Sequence, residues 1–150
     1  MDEQLLLELG ETLDREMPLS RAMQVETVSW DGQQLAMKMP LEPNRNHQYS
    51  AFAGSLNALC TVVGWGTVFL LLASREISGN IVIRRGKIRY LRPVRTQEIV
   101  ATGLTIDPEE LAFFFELLEN KGKSKLDVAV GISDEQGPYV TFKGSYVVHL

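Results

Sequence analysis

The sequence predicts an α+β fold in which a curved antiparallel sheet wraps one long buried helix. Residues 52–73 contain no charged side chain, and a run that long is too extended for a strand. The segments after it alternate apolar and polar residues with period two, as in Leu126, Val128, Val130 and Ile132, then Val140, Phe142, Tyr146 and Val148. The order of elements is a helix, two strands, the long helix and about four more strands, which is not the strict alternation of a parallel α/β fold.

Taken in order, Leu5, Leu6, Leu9 and Leu13 recur at helical spacing and Pro18 follows, so a short amphipathic helix opens the chain. Strands are expected over 22–30 and 33–39, joined at Asp31-Gly32, a dipeptide suited to the positive backbone angles of a tight hairpin. Residues 39–50 carry Pro40 and Pro43 and read as a loop. The central helix runs from Phe52 to about Arg75, and strands follow over 80–91 and 97–107. Residues 109–119, with three consecutive phenylalanines, fit either a helical turn or the start of the next strand. The last two strands form a hairpin around residues 134–137.

A chain of 150 residues is the size of one domain, spanning 1–150. Its net charge of −4 argues against a general nucleic-acid binder, so any anion site must be local. The single cysteine, Cys60, excludes an intramolecular disulfide and suits a reducing compartment. The start, Met1-Asp2-Glu3-Gln4, is acidic where a secretory signal is basic, so the cytoplasm is expected. Residues 52–73 are long enough to cross a bilayer, but Gly54, Gly64, Gly66, Ser55, Asn57, Thr61 and Thr67 interrupt them, and no membrane association is expected. A curved sheet also leaves an open edge, which a homodimer would remove; dimers pairing into tetramers stay open.

Two local patterns carry chemistry. Gly54, Asn57, Thr61 and Gly64 recur every three or four residues and form a small, polar stripe on an otherwise apolar helix. Arg84, Arg85, Lys87, Arg89, Arg92 and Arg95 place six of the chain's 15 Lys and Arg residues within a stretch free of acids. That cluster either contacts a phosphate or an acidic carrier, or forms a solvated strand face.

This layout resembles the hotdog-fold thioesterase superfamily. It is most similar to the thioesterase family of the YiiD C-terminal type, which also occurs fused to an N-terminal GNAT acetyltransferase domain. The residues that carry the likeness are Pro40-Leu41-Glu42-Pro43-Asn44-Arg45-Asn46, Ser50-Ala51-Phe52-Ala53-Gly54-Ser55-Leu56, Gly64-Trp65-Gly66 and Tyr90-Leu91-Arg92-Pro93-Val94. They span nearly the whole chain, and a hotdog domain would use all of it, leaving no room for an acetyltransferase. The resemblance implies hydrolysis of an acyl thioester of coenzyme A or of an acyl-carrier protein. Many relatives carry a loop asparagine, His-Gly-Gly at the helix start and an acid further along. Here Asn46 takes the asparagine position, Phe52-Ala53-Gly54 replaces His-Gly-Gly, and Thr61 stands where the acid is often found. The histidine and the acid are missing, so the binding architecture carries over better than the hydrolytic base.

Hydrolysis needs a donor for charge developing on the carbonyl oxygen and a group that aims water. Gly54 can supply the first through its backbone N–H at the positive end of the helix, or it permits close packing only. Asn46 can hold water or the carbonyl, or it forms an Asx turn. Thr61 can position water, or its hydroxyl bonds one turn back. His47 is the only histidine near this site and can act as base, or is merely solvated. Phe52, Ala53, Ser55 and Asn57 would line the substrate site, with Ser55 also able to cap the helix. Arg89 and Arg92 would meet the phosphates. Cys60 reads as an inert buried thiol rather than a nucleophile, and Glu76 is a carboxylate of unfixed position. No metal or redox cofactor is implied; coenzyme A enters only as part of the substrate. A noncatalytic acyl-thioester sensor using the same cleft is the alternative, supported by the missing acid. A hotdog dehydratase ranks last, because only His47 is available and it has no matching acid.

Overall fold

The computed structural model describes residues 3–150, so the expectation resting on Met1 and Asp2 lies outside the described residues. The first helix, α1 (Glu3–Glu16), buries Leu9 and Leu13 as its leucine spacing requires. Pro18 does not merely end it. It opens a second short helix, α2 (Pro18–Ala22), because proline at the first helical position has its φ preset and needs no N–H acceptor. That helix removes the start of the first expected strand, and β1 is confined to Glu26–Trp30. The hairpin to β2 (Leu35–Pro40) turns where expected. Asp31 Oδ1 accepts from the N–H groups of Gln33 at 2.9 Å and Gln34 at 2.7 Å, and Gly32 takes a φ of 97°.

The loop that follows holds a single 3-10 turn at Glu42–Asn44 and delivers the chain to α3 (Ala53–Ala73). Two strands come next, β3 (Asn80–Tyr90) and β4 (Glu98–Gly103). The second ends earlier than its pattern suggested, since Asp107 caps a helix by accepting from the Glu109 N–H at 3.0 Å. That helix, α4 (Pro108–Lys121), settles the ambiguous phenylalanine segment. It has a capping Asp, a proline in its first turn and Gly122 at a φ of 70° after its last residue. The chain closes with the hairpin of β5 (Lys123–Asp134) and β6 (Gly137–His149).

All six strands form one antiparallel sheet in the order β1-β2-β4-β5-β6-β3, leaving β1 and β3 as edges. The residues buried along β5 and β6 alternate strictly over much of their length, so one face of the sheet lies against α3. By length and composition α3 could cross a membrane, but 61% of its most apolar window is buried inside this fold. Its buried residues join those of the sheet, α1 and α4 in one continuous core.

Two close approaches set the helix against its surroundings. The Tyr146 hydroxyl donates to the Thr61 carbonyl at 2.8 Å, and it reaches that carbonyl across Gly64, where a Cβ would overlap the phenol oxygen. At Gly66 a Cβ would press on Leu35 of β2 and Leu9 of α1, so this glycine lets both elements close on the helix. Further along, Trp65 stacks on Phe69 with centroids 5.3 Å apart and donates its indole N–H to the Ile81 carbonyl of β3 at 3.2 Å. Replacing Gly64 with Ala is expected to cost about 1–3 kcal/mol in urea unfolding. Adding Tyr146→Leu should give a loss smaller than the sum of the two single effects, since the methyl collides with both the hydroxyl and the ring edge; strictly additive effects would show that the clash is relieved elsewhere.

Candidate active site at the start of the central helix

Asn44 determines where α3 begins. Its side chain is 2% exposed, and Nδ2 donates to the Met23 carbonyl at 2.9 Å and the Pro40 carbonyl at 2.8 Å. Its backbone carbonyl accepts from the Phe52 N–H at 2.7 Å, just before the helix. One buried side chain therefore ties the end of α2, the end of β2 and the start of α3 together, while its own Oδ1 is buried without a partner. The Ala51 N–H donates to the Val94 carbonyl at 2.8 Å, which anchors the same point to the loop after β3. Asn44 is thus a structural anchor two residues before the candidate Asn46, and Pro40 and Pro43 flanking a polar loop gave no sign that it would be buried.

The first turn has no side-chain cap. The Ser55 and Leu56 N–H groups both donate to the Phe52 carbonyl, at 3.0 and 3.1 Å. Among the described residues, the N–H groups of Ala53 and Gly54 have no acceptor, and they stand at the positive end of a 21-residue helix. Gly54 is bare for a visible reason. A Cβ there would strike the Phe52 ring, which lies over it with 56% of the residue exposed. Ser55 is thus the third helical residue and not the cap expected for it; Phe52 holds that position.

A cleft of about 260 Å³ opens beside this turn, lined by Ala51, Ala53, Leu56, Tyr90, Leu91, Arg92, Pro93 and Val94. Tyr90 crosses it and donates its hydroxyl to the Ala53 carbonyl at 3.2 Å. Desolvation raises the Tyr90 pKa, and the phenol's one hydrogen is engaged by Ala53, leaving its oxygen as an acceptor toward the cleft. The alternation Lys87-Ile88-Arg89-Tyr90 had marked Tyr90 only as a strand residue.

The remaining candidates divide between this cleft and other places. Asn46 forms the turn: its Oδ1 accepts from the Gln48 N–H at 2.8 Å and the Ser50 N–H at 3.2 Å, and Nδ2 donates to Ser50 Oγ at 3.0 Å. One amide hydrogen is left over. His47 is exposed in the same turn and makes no hydrogen bond among the described residues. Asn57 and Thr61 pair along the exposed stripe, Thr61 Oγ1 lying 3.4 Å from Asn57 Oδ1; it is Thr67 that bonds one turn back, to the Val63 carbonyl at 2.8 Å.

Arg89 points to the opposite face of the sheet from Ile88 and Tyr90, away from the helix. Arg92 lines the cleft, but its guanidinium is engaged by Asp134 at 2.7 and 3.3 Å and by the Gly137 and Pro138 carbonyls, and it stacks on Tyr139 at 3.9 Å. Arg92, together with the Tyr139 hydroxyl, holds the Asp134 carboxyl well below the usual carboxylate range. Glu76 lies beyond the far end of α3, about 30 Å from Gly54 at 1.5 Å per residue, and takes no part in the first turn. Cys60 is buried, and its thiol is pushed up to about 12 by desolvation.

Two unpaired N–H donors on a helix dipole, beside a cleft lined mostly by apolar residues with the Tyr90 phenol across it, can hold and polarise a carbonyl oxygen. Fold and cleft together define a hotdog-fold protein of the thioesterase kind. The chain belongs to the family described as "Putative thioesterase (yiiD_Cterm)", whose model matches residues 6–150. A protein of unknown function from Chlorobaculum tepidum is 33% identical and superposes with a TM-score of 0.93 over 98% of this chain and 95% of its own. A structure described as the putative thioesterase from Shewanella oneidensis is 29% identical, with a TM-score of 0.89 over 99% of this chain and all of its own. A thioesterase from Haemophilus influenzae, 16% identical, shares the fold with a TM-score of 0.73 over 95% of this chain and 89% of its own.

A buried thiol that stays protonated does not act as a nucleophile. Cys60 is therefore expected to resist a thiol-specific disulfide reagent at pH 8 until the protein unfolds, and Cys60→Ser to leave function unchanged. Rapid labelling of the folded protein would contradict this.

Proposed function

We propose that this protein hydrolyses an acyl thioester of coenzyme A or of an acyl-carrier protein, and that it does so in a cytoplasmic setting compatible with the reduced, buried Cys60. The observation that supports this most directly is the pair of free N–H groups at Ala53 and Gly54, opening onto an apolar cleft in a chain of a thioesterase family. The thioester carbonyl oxygen accepts from the Gly54 N–H, with Phe52, Ala53, Ser55 and Asn57 around the acyl group. Water attacks the carbonyl carbon, negative charge collects on that oxygen, and the tetrahedral intermediate collapses by breaking the C–S bond. The leaving thiolate is a far better leaving group than an alkoxide, so it departs with little help from an acid; it takes up the proton that the attacking water gives up, and the products are a carboxylic acid and a free thiol.

Water is aimed rather than strongly deprotonated. Asn46 offers its remaining amide hydrogen and Thr61 its hydroxyl, with His47 as the nearest imidazole. Thr61 lies seven residues from Gly54, about 10 Å along the helix axis at 1.5 Å per residue, so one carbonyl cannot touch both in a single chain. The reading therefore includes a homodimer in which the exposed stripes of two central helices face each other and each completes the other's site. The free eleven-residue edge of β3 supplies a pairing surface for such a dimer.

The absence of a carboxylate or imidazole from the exposed stripe of α3 favours one competing reading, an acyl-thioester sensor that binds without turnover. Release of free thiol from acyl-CoA esters of short, medium and long chain, with binding followed by calorimetry, separates the two. Saturable release supports the hydrolase; tight binding without release supports the sensor and removes the hydrolase. Asn46→Asp, which keeps the oxygen that accepts from the Gln48 and Ser50 N–H groups and removes the amide hydrogens, is expected to lower kcat about 100-fold with the protein still folded, by analogy with loss of one transition-state donor. Unchanged turnover would take Asn46 out of the site.

A further inference from the structure

The cationic stretch after residue 84 has a definite place in the fold. Across the ladder to β6, Arg85 faces Ser145, Lys87 faces Lys143 and Arg89 faces Thr141, while the intervening Gly86, Ile88 and Tyr90 lie on the helix side. Arg85, Lys87, Arg89 and Lys143 thus share the outer face of the sheet, in a chain whose net charge is −4. Lys87 and Lys143 sit directly opposite each other, an arrangement that destabilises a sheet. Among the described residues none of these four forms an ion pair. The acid nearest in register, Asp127 across from Ser145, is already held by Ser145 Oγ and Lys125. Asp127 offsets part of the charge of Lys143, and the four cations leave the face positive.

Its shape decides what kind of anion fits. The hollow between Lys87, Arg89 and Lys143 is about 130 Å³ and is also lined by Thr141 and Phe142. Small-molecule sites run to roughly 300–1,000 Å³, so a nucleotide has no room to bury its base. Nor is there a free ring for a base to stack on: Tyr139, beside this face, is already covered by Arg92. A broad positive face with no pocket suits a broad negative surface. Its Arg89 end also adjoins the cleft, because the next residue, Tyr90, bonds to Ala53 and residues 91–94 line the cleft wall.

We propose that the outer face of β3 and β6 is a docking surface for an acidic protein, placed so that an acyl thioester carried on that protein's flexible arm reaches the first turn of α3. This rests on the thioester reading of the cleft and names its macromolecular partner. The surface acts by attraction alone and leaves the chemistry to the cleft.

The test uses the full chain, an acidic acyl-carrier protein and coenzyme A bearing the same acyl group. The variants are Lys87→Glu/Lys143→Glu and the milder Arg85→Gln/Lys87→Gln, each checked for an unchanged unfolding midpoint. For the carrier substrate, KM is expected to rise about tenfold or more with kcat within about twofold, and its salt dependence to flatten. The acyl-CoA kinetics should be unaltered. Unchanged carrier kinetics, or equal losses on both thioesters, would overturn the proposal. Binding of the labelled carrier, read by fluorescence anisotropy, separates the two ideas. Salt-sensitive binding that the variants lose, with no thiol released, leaves the docking surface standing and removes the hydrolase. Absence of carrier binding to the wild-type protein removes the docking surface even where acyl-CoA is hydrolysed.

Discussion

The hydroxyl of Tyr146, donated to the Thr61 carbonyl through the gap at Gly64, sets how closely the sheet and the central helix approach. A helix with no charged residue over 21 positions can sit in water only if most of its circumference is covered. Two of its three glycines allow that cover to come close: β6 at Gly64, and β2 with α1 at Gly66. Since the helix is held along its middle by these contacts and at its start by Asn44, its first turn is a fixed object. Free donors are useful to a reaction only when they do not have to be reorganised as charge develops.

The fold was largely legible in the sequence because its two strongest signals are independent. The uncharged run and the period-two strands of the last hairpin both demand a sheet around a helix, and both are local. Where reading failed, a turn-forming residue acted against the hydrophobic pattern. Pro18 looked like a terminator but starts a helix, and Asp107, Pro108 and Gly122 decide for a helix in a phenylalanine run that by itself fits either a helix or a strand. The site was less legible for a physical reason. Gly54 was identified from its place at the helix start, but Asn44 and Tyr90 matter through partners 21 and 37 residues away, and no local spacing encodes such contacts. Arg92 likewise lies beside the cleft as its position suggested, yet its donors go to the turn between β5 and β6.

Charge is arranged in this protein by geometry more than by composition. The partial positive charge of the helix start works at short range, on an oxygen that must come within hydrogen-bonding distance. The side-chain cations of the outer sheet face work over the Debye length, about 8 Å at physiological ionic strength. The sheet keeps the two fields on opposite sides of one strand layer, so neither cancels nor blurs the other.

The ring of Phe52 bears on the timing of events at the site. It lies across the bare Cα of Gly54, beside the donors of the first turn, and more than half of the residue faces solvent. An exposed side chain changes rotamer in picoseconds to nanoseconds, whereas enzymes typically turn over about 1–1,000 times per second. Such a ring swings aside many thousands of times within one turnover, so admission of a ligand to the helix start imposes no delay of its own.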